Sequence, residues 1–246
     1  MRIKRWHILM ALGLVAASVA LYGLHYLLFH DAHHIWIYLV GDIAFLPAEV
    51  LLVTLVLHQL LELREKRSRL NKLNMLIGVF FTEVGTEMLR QLHDTEAGGQ
   101  SLLGPLLIGN DWTNRDFATA AAAVRAADCT LELDPPALQQ MRELLLSNRA
   151  SLVGLLQNPM LLEHQSFTNL LWAVFHFMEE LARREDFAAL PPSDVKHLSG
   201  DACRVYERLI VAWLAYVRHL KRTYPYLYSL AVRTNPFAEN ASPVVE

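Results

Sequence analysis

The sequence predicts an all-α membrane protein: a two-helix transmembrane hairpin at the N-terminus, whose second helix continues as a stalk into a cytoplasmic helical bundle. Three observations predict it. Residues 8–29 and 35–57 are apolar runs long enough to cross a bilayer as helices, for which about 20 residues suffice. Basic residues lie at both chain ends of this pair and are missing from its turn. Beyond residue 60, apolar side chains recur at three- and four-residue spacing between helix-starting signals, and only CTLEL (129–133) reads as a strand candidate.

Arg2, Lys4 and Arg5 lead into the first span. Ser18-Val19-Ala20 resembles a signal-peptide cleavage site, but the run stays apolar well past it, beyond the about 7–15 residues of an h-region, so an uncleaved helix is expected. Gly13, Ala16, Ala17, Ala20 and Gly23 give that helix a small-residue surface on which another helix can pack closely. The turn is HDAHH, residues 30–34, and the second span is followed by Arg64, Lys66, Arg67, Arg69 and Lys72. By the positive-inside rule both termini are cytoplasmic, in an inner (plasma) membrane, with the histidine turn outside.

The second span has no stop signal, so a continuous stalk helix is expected over 59–93. Leu60, Leu63, Leu70, Ile77, Phe81, Val84 and Met88 fall on a heptad-like seam interrupted by Arg67 and Asn74. Such a seam fits a coiled coil between copies, its polar positions fixing register, or packing on the chain's own domain. Glu83 and Glu87 read as a solvated acidic face. Residues 94–111 form a linker whose LLGPLLIG centre is apolar enough to lie against protein or membrane. In the bundle, 112–236, Thr113-x-x-Asp116 opens one helix, Asp134-Pro135 a second, Asn158-Pro159 a third running through LLWAVFHFMEELARRE, and Ser193 with Asp201 the last. Leu170, Val174, Phe177 and Leu181 mark one core face; Val205, Leu209, Trp213, Tyr216 and Leu220 mark another. LLWAVFHFM and LIVAWLAYV are too short between charges to be further spans. TYPYLYSLAVRTNPF is aromatic enough to dock on the bundle or on a neighbour, and 237–246 reads as a flexible tail.

Composition narrows the function. A 246-residue chain with net charge −3 has no polyanion-binding field, so no nucleic-acid partner is expected. Cys129 and Cys203 show no metal or redox spacing and read as small unpaired core residues in a reducing cytoplasm. No nucleophile–base set, phosphate loop, zinc-protease motif or potassium-channel filter appears, so no cofactor and no enzymatic activity are expected.

What remains is the acid pair in the second span. Asp42 and Glu49 are seven residues apart, which places both carboxyls on nearly one helix face about 10 Å apart along the axis. Pro47 between them frees the carbonyl of Ile43 from its helical bond, a further oxygen ligand. A carboxyl deep in a bilayer has to be hydrated, paired or protonated. His25 on the first span is a candidate partner for Asp42, whereas the depth of Glu49 is matched by apolar Leu14 and Val15. This predicts a homo-oligomer in the lipid bilayer whose second spans line a cation or proton path, or else acids that fasten helices together without conducting. His25, His30, Asp31, His33 and His34 near the turn read as a metal site, a pH sensor or interfacial polar residues. His176/Glu180 and His197/Asp201 read as surface ion pairs, since neither has the Glu-x-x-His spacing of di-iron bundles. The alternative function is a membrane-anchored cytoplasmic scaffold or sensor module that binds an unidentified protein partner and transports nothing.

Overall fold

In the computed structural model, residues 5–96, 106–162 and 164–244 are described, Leu162 by its backbone alone. All regular structure among them is helical apart from an isolated bridge between Glu96 and Leu131. The chain divides into two compact units, Met1–Lys66 and Arg67–Glu246.

The first unit holds α1 (Arg5–Phe29) and the first part of α2 (Ala32–Phe80). Both are long and apolar enough to cross a membrane, and no residue in their apolar windows is buried. His30 closes α1 in the left-handed region (φ 52°), which histidine tolerates better than most residues. Its N–H donates to Tyr26 O at 2.9 Å. Asp31 then caps α2, its Oδ1 accepting from the N–H groups of His33 (3.0 Å) and His34 (3.2 Å). Beside this turn only His25, Ile35 and Leu39 are half-buried in the unit's helices.

The second unit begins within α2 and builds one continuous hydrophobic core. The expected helix does run on, to Asp94, but a π-helical segment at Phe81–Gly85 separates α2 from α3 (Thr86–Asp94). There the Thr86 N–H and its Oγ1 (2.8 Å) both donate to Phe81 O, five residues back. The wider turn lets consecutive Phe80 and Phe81 both point inward, where Phe80 meets Phe167 edge-on at 5.3 Å. After it come α4 (Asn114–Ala126), α5 (Pro135–Ser147), α6 (Arg149–Leu156), α7 (Pro159–Leu162), α8 (Gln165–Ala182), α9 (Pro192–Thr223) and α10 (Pro225–Arg233). The 32-residue α9 is the hub: α3, α4, α8 and α10 all pack on it.

Several starts follow the sequence. Thr113 and Asp116 form a reciprocal capping box, and the Asp134 side chain accepts from Ala137 N at 2.8 Å. Two need correction. The helix from Asn158-Pro159 stops after one turn and α8 restarts at Gln165, because His164 supplies its own cap through Nδ1 and Thr168 Oγ1 binds Leu161 O at 2.7 Å. Neither Ser193 nor Asp201 opens α9; Pro192, with its φ already helical, does so, and Asp201 lies buried well inside the helix.

The linker's Leu106 and Ile108 are buried, as its apolar centre suggests; residues 97–105 lie outside the described residues. Lys221 Nζ donates to Asn110 O and Trp112 O, and Asn235 Nδ2 to Leu106 O, which straps the linker's end to the bundle. Tyr228 and Phe237 are buried, so the aromatic segment docks on its own unit and the tail starts later than residue 237. Even Ser242 donates its N–H to Arg233 O at 3.0 Å.

Cys129 and Cys203 are also corrected. They form a disulfide across 74 residues, with Cα atoms 5.7 Å apart. Two lone cysteines that far apart carry no spacing signal; Cys129, in the segment between α4 and α5, meets Cys203 on α9 only in the folded unit.

Candidate functional site

Asp42 and Glu49 stand on α2 as the spacing predicts, exposed and, among the described residues, with no hydrogen bond or ion pair. Pro47 sits inside the same uninterrupted helix. His25 does not pair with Asp42: its ring lies tilted against Phe29 at 4.8 Å, and its Nδ1 is buried without a partner among the described residues. Among the described residues of the hairpin, neither acid finds a partner. A Cβ added at Gly13 or Gly23 meets nothing within 4 Å, so the small-residue surface of α1 is vacant too.

The histidine turn does not assemble as a ligand set. Asp31 spends Oδ1 on capping α2, and its Oδ2 is 4.0 Å from His34 Nδ1. The His30 ring faces Tyr26, and the His34 ring also faces Tyr38. Among the described residues, no three histidine, cysteine or carboxylate side chains stand closed around a common ion position.

The heptad seam divides. Leu60, Leu63, Arg67 and Leu70 are exposed, and Asn74 donates back to Leu70 O at 2.9 Å. Ile77 and Phe81, followed by Val84 and Met88, enter the second unit's own core. Own-domain packing takes the lower half of the seam and leaves the upper half bare.

The second unit holds two features that sequence reading did not assemble. One is a cleft of about 410 Å³ lined by residues including Asn74, Arg125, His164, Glu207, Arg208 and Tyr216. The other is a polar cluster between α8 and α9. Arg184 grips Asp194 with Nε and Nη2, both at 2.7 Å, and donates Nη1 to Glu180 Oε2 at 2.8 Å. These bonds hold the Asp194 and Glu180 carboxyls below their usual pKa, through Arg184 before any other cause. Beside them Asp201, only 3% exposed, accepts from Arg204 Nη1 at 2.6 Å on Oδ1. His176 Nε2 lies 3.2 Å and His197 Nε2 3.5 Å from Asp201 Oδ2. The i,i+4 spacing of His176/Glu180 and His197/Asp201 was the available signal; that the two pairs face each other across α8 and α9 was not.

Comparison with known proteins places the chain. Residues 69–233 match the family described as "Uncharacterized protein MJ1433, C-terminal helical domain", and residues 2–61 its "N-terminal helical domain". The chain belongs to the MJ1433 family. It is 42% identical over 243 residues to "Uncharacterized protein MJ1433" of Methanocaldococcus jannaschii, covering 99% of this chain and 97% of that one. No solved structure matches it. The gap between the two MJ1433 domains contains the Lys66/Arg67 boundary between the compact units, so sequence relationship and packing divide the molecule at one place.

Proposed function

We propose that this MJ1433-family chain is an integral membrane protein that works as a homo-oligomer, with Asp42 and Glu49 of neighbouring α2 helices lining a path for cations or protons. The observation that carries this reading is the pair of unpartnered carboxyls on one face of a helix whose apolar window is wholly exposed. Hydrocarbon does not tolerate such groups singly, and a second copy supplies water, a like ring or a proton-sharing partner. The bare upper seam, Leu60, Leu63 and Leu70, and the vacant small-residue face of α1 give the copies surfaces to meet on. Both termini then face the cytoplasm, with Arg64, Lys66, Arg67, Arg69 and Lys72 against the inner headgroups.

A second reading, the hairpin as an anchor for a sensing or scaffolding module, is favoured by the closed core of the second unit and by its cleft. Cation flux into liposomes carrying the purified protein separates the two. Conduction by the parent, lowered severalfold by Asp42→Asn or Glu49→Gln with the oligomer intact, supports the path. A parent that assembles and passes neither cations nor protons leaves the anchor.

A further inference from the structure

The cleft of the second unit gathers positive charge beside an apolar lining. Arg125 of α4 and Arg208 of α9 both line its volume of about 410 Å³. A smaller hollow of about 220 Å³ shares Arg125, Val211 and Ala215 with it and adds Arg218. Among the described residues that line the two, Glu207 is the single acid, so three guanidiniums are set against one carboxylate. Among the described residues Arg208 and Arg218 have no hydrogen bond or ion pair, and Arg125 spends only Nη1, on Ala121 O at 3.3 Å. Further donors stand beside them. Burial pushes the Tyr216 pKa up and keeps it a phenol, and its hydroxyl donates to nothing among the described residues. Asn169 accepts from Gln165 Nε2 on Oδ1 at 2.9 Å, which leaves its amide N–H groups over. Ile77, Phe167 and Val211 supply apolar surface. A few polar groups converging on an apolar hollow of about 300–1,000 Å³ is the usual form of a small-molecule site.

We propose that this cleft binds an organic phosphate, its phosphate held by Arg125 and Arg208 and its apolar body laid on Ile77, Phe167 and Val211. Each guanidinium presents a planar fork of N–H donors. A carboxylate offers two oxygens and is filled by one such fork, whereas a phosphate has oxygens enough for two forks and a hydroxyl. Glu207 opposes an anion, and the two guanidiniums outweigh it, with Arg218 adding to the local field. The residues all belong to the second unit, so the site stands whether or not Asp42 and Glu49 carry ions. The same chemistry is offered by a phospholipid headgroup with its acyl chains and by a soluble phosphate ester.

Full-length protein, delipidated in maltoside detergent and titrated with phenyl phosphate in a calorimeter, tests this. Saturable one-to-one binding is expected, with benzoate and benzyl alcohol weaker by about tenfold or more. Arg208→Gln and Arg125→Gln each lower the affinity about tenfold, the loss of a charge-assisted pair. Arg183→Gln, which removes an exposed arginine outside the cleft, binds as the parent does. Both cleft arginines are exposed, so neither variant cuts into the core, and circular dichroism checks that each keeps its fold. Dioctanoyl phosphatidic acid in mixed micelles decides the source. Binding tighter than that of phenyl phosphate, and weakened by Arg208→Gln, identifies a lipid headgroup; binding no tighter identifies a soluble ester. Absence of saturable phenyl phosphate binding overturns the site. So does affinity that survives loss of both Arg125 and Arg208, or that benzoate matches.

Discussion

Gly85 has no room for a side chain. A Cβ there meets ring carbons of Phe80 and Phe81 at 2.7 Å, and both rings are buried. Gly85→Ala is therefore expected to destabilise the second unit by about 1–3 kcal/mol, the cost of forcing a packed core apart, read from the midpoint of chemical denaturation. Arg184 gives a prediction with a sign. Asp194 and Glu180 have depressed folded-state pKa values, so the stability they contribute is present above the ordinary carboxylate range and lost as pH falls from there through their lowered folded values. Arg184→Gln should flatten that acid limb: the variant loses stability at neutral pH yet converges on the parent as the carboxyls protonate, measured by thermal melts from neutral to acid pH. At this scale the sequence singled out the paired residues and missed their company. His176, Glu180, His197 and Asp201 stood out by spacing, but helical periodicity says which side chains share a face and not which face of another helix they meet.

Among the elements, legibility tracked the locality of the signal. The start of α4 was readable because Thr113 and Asp116 satisfy each other within four residues, and Thr113→Ala should cost about 1 kcal/mol, seen in the same denaturation experiment. The long helix was readable because nothing in its sequence stops it. Its π segment was not, since the extra residue depends on Phe80, Phe81 and Phe167 packing together. The restart at α8 was hidden for a related reason: histidine is no usual helix cap, and His164 serves as one only where Thr168 also holds Leu161. The aromatic segment after Tyr224 was recognised as something that docks, and α9 with the linker's end turned out to be where it does so.

For the molecule as a whole, hydropathy separated the apolar hairpin from the bundle, and both the packing and the family comparison divide the chain near residue 66. The disulfide was beyond reach, because two cysteines 74 residues apart are paired by tertiary structure alone. Closing a loop of that length restricts the unfolded chain enough for a chain-entropy stabilisation of about 4 kcal/mol. A Cys129→Ser, Cys203→Ser variant should show a loss of that order in denaturation, and intact mass under non-reducing alkylation should show no free thiols in the parent. Leu131 and Glu132 pair with Glu96 and Thr95 just past the end of α3, and Cys129 lies two residues before Leu131. A pull on the far end of α3 thus reaches α9 through a few residues of chain and one sulfur–sulfur bond. Cut that bond, and the same tug would be borne by the packing of α3 on α9 and by backbone contacts that can peel away one after the other.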